Sequence, residues 1–418
     1  MKALVIGSGG REHAIVDALS RSPLIDKIFA APGNPGMACQ ADCVAIDPED
    51  PGALLDFALT EHIGLTVVGP EASLATGVVD LFRANGLAIF GPTKAASRIE
   101  TSKEFAKNLM AKYGIPTAGY QTFSVYEEAI DYVERHGIPI VIKYDGLAAG
   151  KGVVVAMSLK EAKAALKEML VDGRFGKDKV VIEDYLEGPE FSFLCLVDGE
   201  NVYPLELSQD HKRAFDHDEG LNTGGMGAYS PLPFITDTDK AYALENIMKP
   251  TARAMVREGC PFSGVLYGGL MKTKDGIKVI EFNCRFGDPE TEVVLPRLTS
   301  DIAKAFLAII HHERPVLTWT KKVCLGVVMA SKGYPEHYEK GYPITGLEDV
   351  QGIVYYMGVD KKDKTIITHG GRVLIVVEKA DTLKEARDLA LKDIGRIHCR
   401  NLFYRHDIGH WAITEENK

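Results

Sequence analysis

The chain has 418 residues, room for about three domains at roughly 150 residues each, and it can bury several cores without staples. It is 46% hydrophobic, 25% charged and 8% aromatic with a mean hydropathy of -0.04, which excludes a disordered or fibrous chain. Acidic side chains number 58 against 48 basic ones, so the net charge is -10 and the pI about 5.7; a general nucleic-acid binder, which needs a basic footprint to displace counterions, is excluded.

The first hundred residues predict strands over 3–6, 27–30, 65–68 and 88–90 and a helix over 13–19. Strand, glycine turn and helix in repetition predict an open parallel sheet, whose ligands sit at the carboxyl ends of its strands. Gly7-Ser-Gly9-Gly10-Arg11-Glu12-His13 follows the first strand, but it fails as a dinucleotide fingerprint. Glu12 stands where the third glycine belongs, and the second strand ends Ala30-Ala31-Pro32-Gly33 without an acid for a ribose. What remains is a helix N-terminus suited to phosphate. Gly7, Gly9, Gly10 and Arg11, the Asn34–Gly36 turn and Glu71 after Gly69-Pro70 are the candidate sugar-phosphate residues; ordinary tight turns are the competing reading.

From residue 101 the texture is α+β. A helix is predicted over 101–113, with lysines at 103, 107 and 112, stopped by Gly114-Ile-Pro116. After a helix over 125–136, strands over 139–143 and 153–157 flank the run Lys143-Tyr-Asp145-Gly146-Leu-Ala-Ala-Gly150-Lys151-Gly152. A glycine-rich loop with a lysine at each end can fold over a triphosphate. No G-x-x-x-x-G-K-[ST] occurs, so a P-loop is excluded. A helix over 159–171 and a strand over 180–182 lead to Glu183-Asp-Tyr185-Leu186 and Glu190, a strand end that can offer backbone to an adenine edge and a carboxylate to ribose hydroxyls.

A strand over 191–197 precedes a long polar connection, Ser208-Gln-Asp210-His-Lys-Arg213 and Asn222-Thr-Gly-Gly-Met-Gly-Ala-Tyr-Ser-Pro231. Structureless loops of such length are usually functional or disordered. Strands over 265–271 and 278–282 flank the Asp275-Gly276 turn, and Glu281, Asn283 and Arg285 follow on one strand face. A carboxylate and an amide oxygen suit Mg²⁺, and the adjacent guanidinium suits a transferring phosphoryl group. The tail predicts strands over 323–330 and 352–358, a hairpin closing at Gly370-Gly371 and a helix over 383–394. Seven scattered cysteines, no signal-like N-terminus and no apolar stretch near the ~20 residues that span a bilayer point to a cytoplasmic protein without a membrane partner.

The runs 7–13, 145–152, 208–213, 222–231 and 281–290 together resemble the phosphoribosylamine-glycine ligase family of the ATP-grasp superfamily, over essentially the whole chain. The resemblance implies an N-terminal α/β phosphoribosylamine-binding domain over 1–100, an ATP-grasp domain over 101–322 with a flap lobe over about 120–190, and a C-terminal α+β domain over 323–418. It makes Lys103 and Lys143, with Gly150, Lys151 and Gly152 of the flap, the nucleotide-phosphate group. Glu183 and Leu186 become the adenine hinge, with Tyr185 also on ATP, and Glu190 the ribose carboxylate. Glu281 and Asn283 would hold Mg²⁺, with Mn²⁺ as an open alternative, and Arg285 would act on the transferring phosphoryl group. Asp210 or Asp288 would receive the glycine ammonium, on charge alone. The implied reaction joins glycine to 5-phosphoribosylamine through glycyl phosphate with ATP consumed; another ATP-grasp carboxylate-amine ligase is the alternative. A nicotinamide dehydrogenase would rest on residues 7–10 alone. The lability of the amine raises direct handover from the preceding purine-pathway enzyme. Tyr144, where the family has a small residue, and the segment 173–179 depart from the usual pattern.

Overall fold

The computed structural model describes residues 1–146, 152–176 and 179–416; of the sequence-predicted flap residues, Gly150 and Lys151 lie outside these. The N-terminal part is a five-stranded sheet, all parallel, in the order Asp42–Cys43, Lys27–Pro32, Lys2–Gly7, Ile63–Val68, Ile89–Phe90. Ala3, Leu4, Val5 and Ile6 are wholly buried, as expected of a parallel strand covered on both faces. The chain reverses its winding at Lys2–Gly7, so the carboxyl end of this strand opens into the crevice where such sheets bind ligands.

An antiparallel sheet of Tyr120–Phe123, Val180–Asp184, Ile140–Tyr144 and Val153–Ala156 carries the helices Tyr126–His136 and Leu159–Leu166 and has its own core. Tyr144, the departure from the family pattern, is buried in that core with its ring 5.4 Å from Phe175. Next to it, Asn201–Pro204, Glu190–Asp198, Ser263–Thr273 and Gly276–Asn283 form a second antiparallel sheet. A third joins Gln209–Asp210, Gly227–Ser230, Val323–Ser331, Arg372–Ala380 and Ile353–Tyr356, and the helix Leu383–Ile394 packs against it.

Three sequence-based expectations change. The helix expected over 101–113 starts at Lys103 and runs to Tyr113, after a separate helix, Lys94–Thr101, because Ser102 takes an extended conformation and caps the second by accepting from Phe105 N. The connection 208–231 is not structureless: besides two strands of the C-terminal sheet it contains the hairpin Arg213–Phe215 and Glu219–Asn222. Gly370-Gly371 does not close a hairpin. The turn lies at Asp363-Lys364, with Asp363 at φ 56°, between Val359–Lys362 and Thr365–Thr368, while Arg372–Ala380 belongs to another sheet. Gly370 instead lets two backbones cross, its N–H donating to Gly358 O at 2.8 Å. Among the described residues no helix is long and apolar enough to cross a membrane.

Candidate active site

A cavity of about 420 Å³ opens where the N-terminal sheet, the helix Lys103–Tyr113, the flap sheet and the strand Gly276–Asn283 meet. Its wall brings together most of the residues singled out from sequence: Lys103, Lys143 and Gly152; Glu183, Tyr185, Leu186 and Glu190; Asp210, Glu281, Asn283, Arg285 and Asp288. Residues more than 180 positions apart in the chain thus share one space.

Buried ion pairs organise it. Glu183 is 4% exposed and binds Lys107 and Lys143, each at 2.8 Å; Lys143 also donates to Ile280 O at 2.8 Å. Burial drives the Lys107 ammonium down to about 8, against the pull of Glu183. Lys103 Nζ donates to Gly146 O at 2.9 Å, tying the helix to the start of the flap loop. Arg285 is clamped between Glu71, 3.2 Å from Nε, and Glu100, 2.8 Å from a terminal nitrogen. Burial works to raise Glu71, but Arg285 and Arg11 draw its carboxyl down to about 2. Lys212 pairs with Glu190 at 2.7 Å, and Arg372 with Asp288 at 2.8 Å.

Neither Glu281 nor Asn283 makes a side-chain hydrogen bond to a described residue, so their oxygens are free to ligate. Burial would raise the Glu281 carboxyl, yet Lys212, Lys143, Lys103 and Arg285 hold it below its ordinary value and therefore ionised. Among the described residues no three His, Cys, Asp or Glu side chains cluster to hold a metal by themselves. One carboxylate and one amide oxygen fit a divalent cation that completes its shell with phosphate oxygens and water.

Of the candidate sugar-phosphate residues, Arg11 and Glu71 reach the cavity wall. Arg11 donates to Gly69 O at 2.8 Å and Glu12 at 3.1 Å, while its Nε is buried without a hydrogen-bond partner among the described residues. Glu12 accepts from Gly9 N at 2.6 Å and so caps the helix Gly10–Ser20, in the place where a dinucleotide fingerprint keeps a glycine. Gly7, at φ 122°, is required beside it, because a Cβ there would lie 2.6 Å from the Glu12 side chain. Asp288 approaches Arg11 N at 3.4 Å, standing at the helix N-terminus that the sequence reserves for phosphate. Asn34 spends its amide on Ser8 O and Tyr356 O, at 2.8 and 2.9 Å, and Gly36 lines a second hollow with His13 and Tyr355.

The sequence matches the family descriptions Phosphoribosylglycinamide synthetase, N domain, over 1–100, ATP-grasp (A) domain over 101–291 and C domain over 324–411. It is 51% identical to the phosphoribosylamine-glycine ligase of Halalkalibacterium halodurans across 99% of this chain and 98% of that one. For the same enzyme of Pasteurella multocida the identity is 48%, across 100% and 99%. The chain belongs to the phosphoribosylamine-glycine ligase family. The crystal structure of the Thermotoga maritima phosphoribosylamine-glycine ligase superposes with a TM-score of 0.86 at 32% identity, covering 98% of this chain and all of that one. A biotin carboxylase domain from Hydrogenobacter thermophilus shares the fold alone, with a TM-score of 0.73 at 17% identity over 96% and 91% of the two chains.

Within this ligase fold, wall or clamp residues given no role from sequence include Lys107, Glu100, Lys212, Tyr267, Glu290 and Arg372. Lys107 had a legible signal, lying one helical turn beyond Lys103. Glu100 and Arg372 did not. Glu100 reaches Cys284 N at 2.8 Å across 184 residues, and Arg372 meets Asp288 across 84. Such pairings arise from sheet topology and leave no local pattern.

Proposed function

We propose that this chain joins glycine to 5-phosphoribosylamine, forming glycinamide ribonucleotide with conversion of ATP to ADP and phosphate. A glycine carboxylate oxygen bonds to the γ-phosphorus of ATP as the bond to ADP breaks. The amine then attacks the glycyl carbonyl, the acyl–phosphate bond breaks, phosphate leaves with that oxygen, and the amine loses a proton. The convergence of Lys103, Lys143 and Lys212 with Glu281, Asn283 and Arg285 on one cavity carries this reading. Phosphoryl transfer asks a protein mainly for alignment and charge neutralisation, which these groups supply. In this reading Glu281 and Asn283 hold a divalent cation, Mg²⁺ with Mn²⁺ as a substitute, that would neutralise phosphate charge. Lys103, Lys143 and the flap residues 150–152 grip the ATP phosphates; 183–186 and Glu190 receive adenine and ribose. Arg11, Glu71 and the 7–10 and 34–36 turns receive the phosphoribosyl group.

The division into 1–100, 101–322 and 323–418 belongs to the same proposal, as do a cytoplasmic setting and transient handover of the labile amine. The test is ADP release with glycine, ATP, Mg²⁺ and freshly made phosphoribosylamine, each omitted in turn. Release should require all four; release without glycine or without the amine would overturn the reading. Glu281→Ala should lower kcat by about 100-fold or more with the fold retained by circular dichroism, as for loss of an electrostatic stabiliser; near-normal turnover would remove Glu281 from the site.

A further inference from the structure

Most acids of the cavity already face a cation: Glu71 and Glu100 face Arg285, Glu183 faces two lysines, Glu190 faces Lys212 and Asp288 faces Arg372. Apart from Glu281, placed above as a cation ligand, two are short of one. Asp210 has Lys212 no nearer than 4.0 Å, and Glu290 has no cationic partner among the described residues. Glu290 is nonetheless held firmly. It is 3% exposed, and its Oε1 accepts from the Ser192 and Tyr267 hydroxyls, each at 2.9 Å. Those hydroxyls lie 2.9 Å from each other, and Ser192 is further fixed by backbone bonds to Ser208 at 2.7 and 3.2 Å. Glu290 Oε2 makes no hydrogen bond to a described residue, while Glu290, Asp210 and Tyr267 all line the cavity.

A carboxylate oriented through one oxygen and free at the other, with a second carboxylate beside it, is a receptor for a small cation carrying several N–H donors. We propose that Glu290, together with Asp210, binds the ammonium of the amino-acid substrate, and that Ser192 and Tyr267 are positioning residues that aim Glu290 at it. The proposal rests on the reading that this cavity takes glycine. It also assigns the ammonium away from Asp288, whose carboxylate is taken by Arg372 and the Arg11 amide. Burial, with Glu290 and Glu190 adding and Lys212 opposing, pushes the Asp210 carboxyl up to about 7, as expected of an acid waiting for a cation. The pair would also set specificity, because a carboxylic acid lacking the ammonium leaves both carboxylates buried and uncompensated.

The test titrates glycine calorimetrically into the full chain with Mg²⁺ and a non-hydrolysable ATP analogue, for the wild type and Glu290→Gln, alongside steady-state KM values. Glu290→Gln should weaken glycine at least 30-fold while the KM for ATP stays within threefold, and acetate, which lacks the ammonium, should bind the variant no more weakly than the wild type. Tyr267→Phe should raise the glycine KM about tenfold with kcat within threefold, a split that a general loss of structure would not give. Glycine affinity within threefold of wild type in Glu290→Gln, or equal losses for glycine and ATP, would overturn the proposal. Should Glu290→Gln not fold, Asp210→Asn is read by the same criteria. A wild type that releases no ADP with glycine refutes the function itself; a glycine-dependent wild type with an indifferent Glu290→Gln refutes only this assignment.

Discussion

Glu183 balances two lysines that are only 2% and 3% exposed, so its charge matters to folding as well as to ligand binding. Neutralising one member of a buried pair leaves uncompensated charge, at a cost of about 3 kcal/mol or more. Glu183→Gln should therefore lower the unfolding free energy in urea by about 3 kcal/mol; a loss under about 1 kcal/mol would mean that water reaches Lys107 and Lys143 freely. Asp210 gives a prediction in pH. Its carboxyl is raised to about 7 in the fold from an ordinary 3.8. Between these values the folded chain holds a proton that the unfolded chain has lost, so this group destabilises fully above pH 7, and the penalty fades as pH falls toward 4. Lys212, Glu190 and Glu290 are the charged groups that set it. Asp210→Asn should thus exceed the wild type in stability by more at pH 8 than at pH 5. An equal difference at both would show Asp210 to be an ordinary surface acid.

At the scale of elements, the break at Ser102 matters most. It points the start of Lys103–Tyr113 at the flap, where Asp145 accepts from Lys103 N at 2.5 Å and from Glu104 N at 3.2 Å. A helix cap of this kind is worth about 1 kcal/mol. Asp145→Ala should speed amide exchange at Lys103 and Glu104 several-fold to about tenfold; unchanged protection would show the cap to be dispensable. The start at Lys103 was hidden because Thr101 and Ser102 continue the helical spacing, and the capping acid sits more than 40 residues away. Four strands of the parallel sheet were legible, since each is a short apolar run ended by glycine or proline; the fifth, exposed Asp42–Cys43, carries no such signal. So were the helix Leu383–Ile394 and the Ser263–Thr273 and Gly276–Asn283 hairpin, where periodicity and turn residues agree. The candidate site was legible where chemistry is contiguous, as in Glu281, Asn283 and Arg285. It was not legible where a residue's role lies in a partner from another sheet, as with Glu100, Glu290 and Arg372.

Across the whole molecule, the C-terminal sheet helps close the cavity. Arg372 donates to Gly224 O and Asp288 O, at 2.8 and 2.9 Å, besides its ion pair with the Asp288 carboxylate. Tyr356 binds the N-terminal part from the other side, its N–H donating to His13 Nδ1 at 2.9 Å. Burial holds that imidazole neutral by lowering it to about 4, which keeps the acceptor available. Arg372→Ala should destabilise the chain by about 3 kcal/mol, and adding Asp288→Asn should recover part of the loss, because the stranded charge is removed with its partner. Strictly additive losses would show that the two do not act as a pair. The central claim is that glycine is activated on its carboxylate within this cavity. Glycine labelled with ¹⁸O in its carboxylate tests it most directly: turnover with ATP and phosphoribosylamine should place one ¹⁸O in each phosphate released, and unlabelled phosphate would contradict the account.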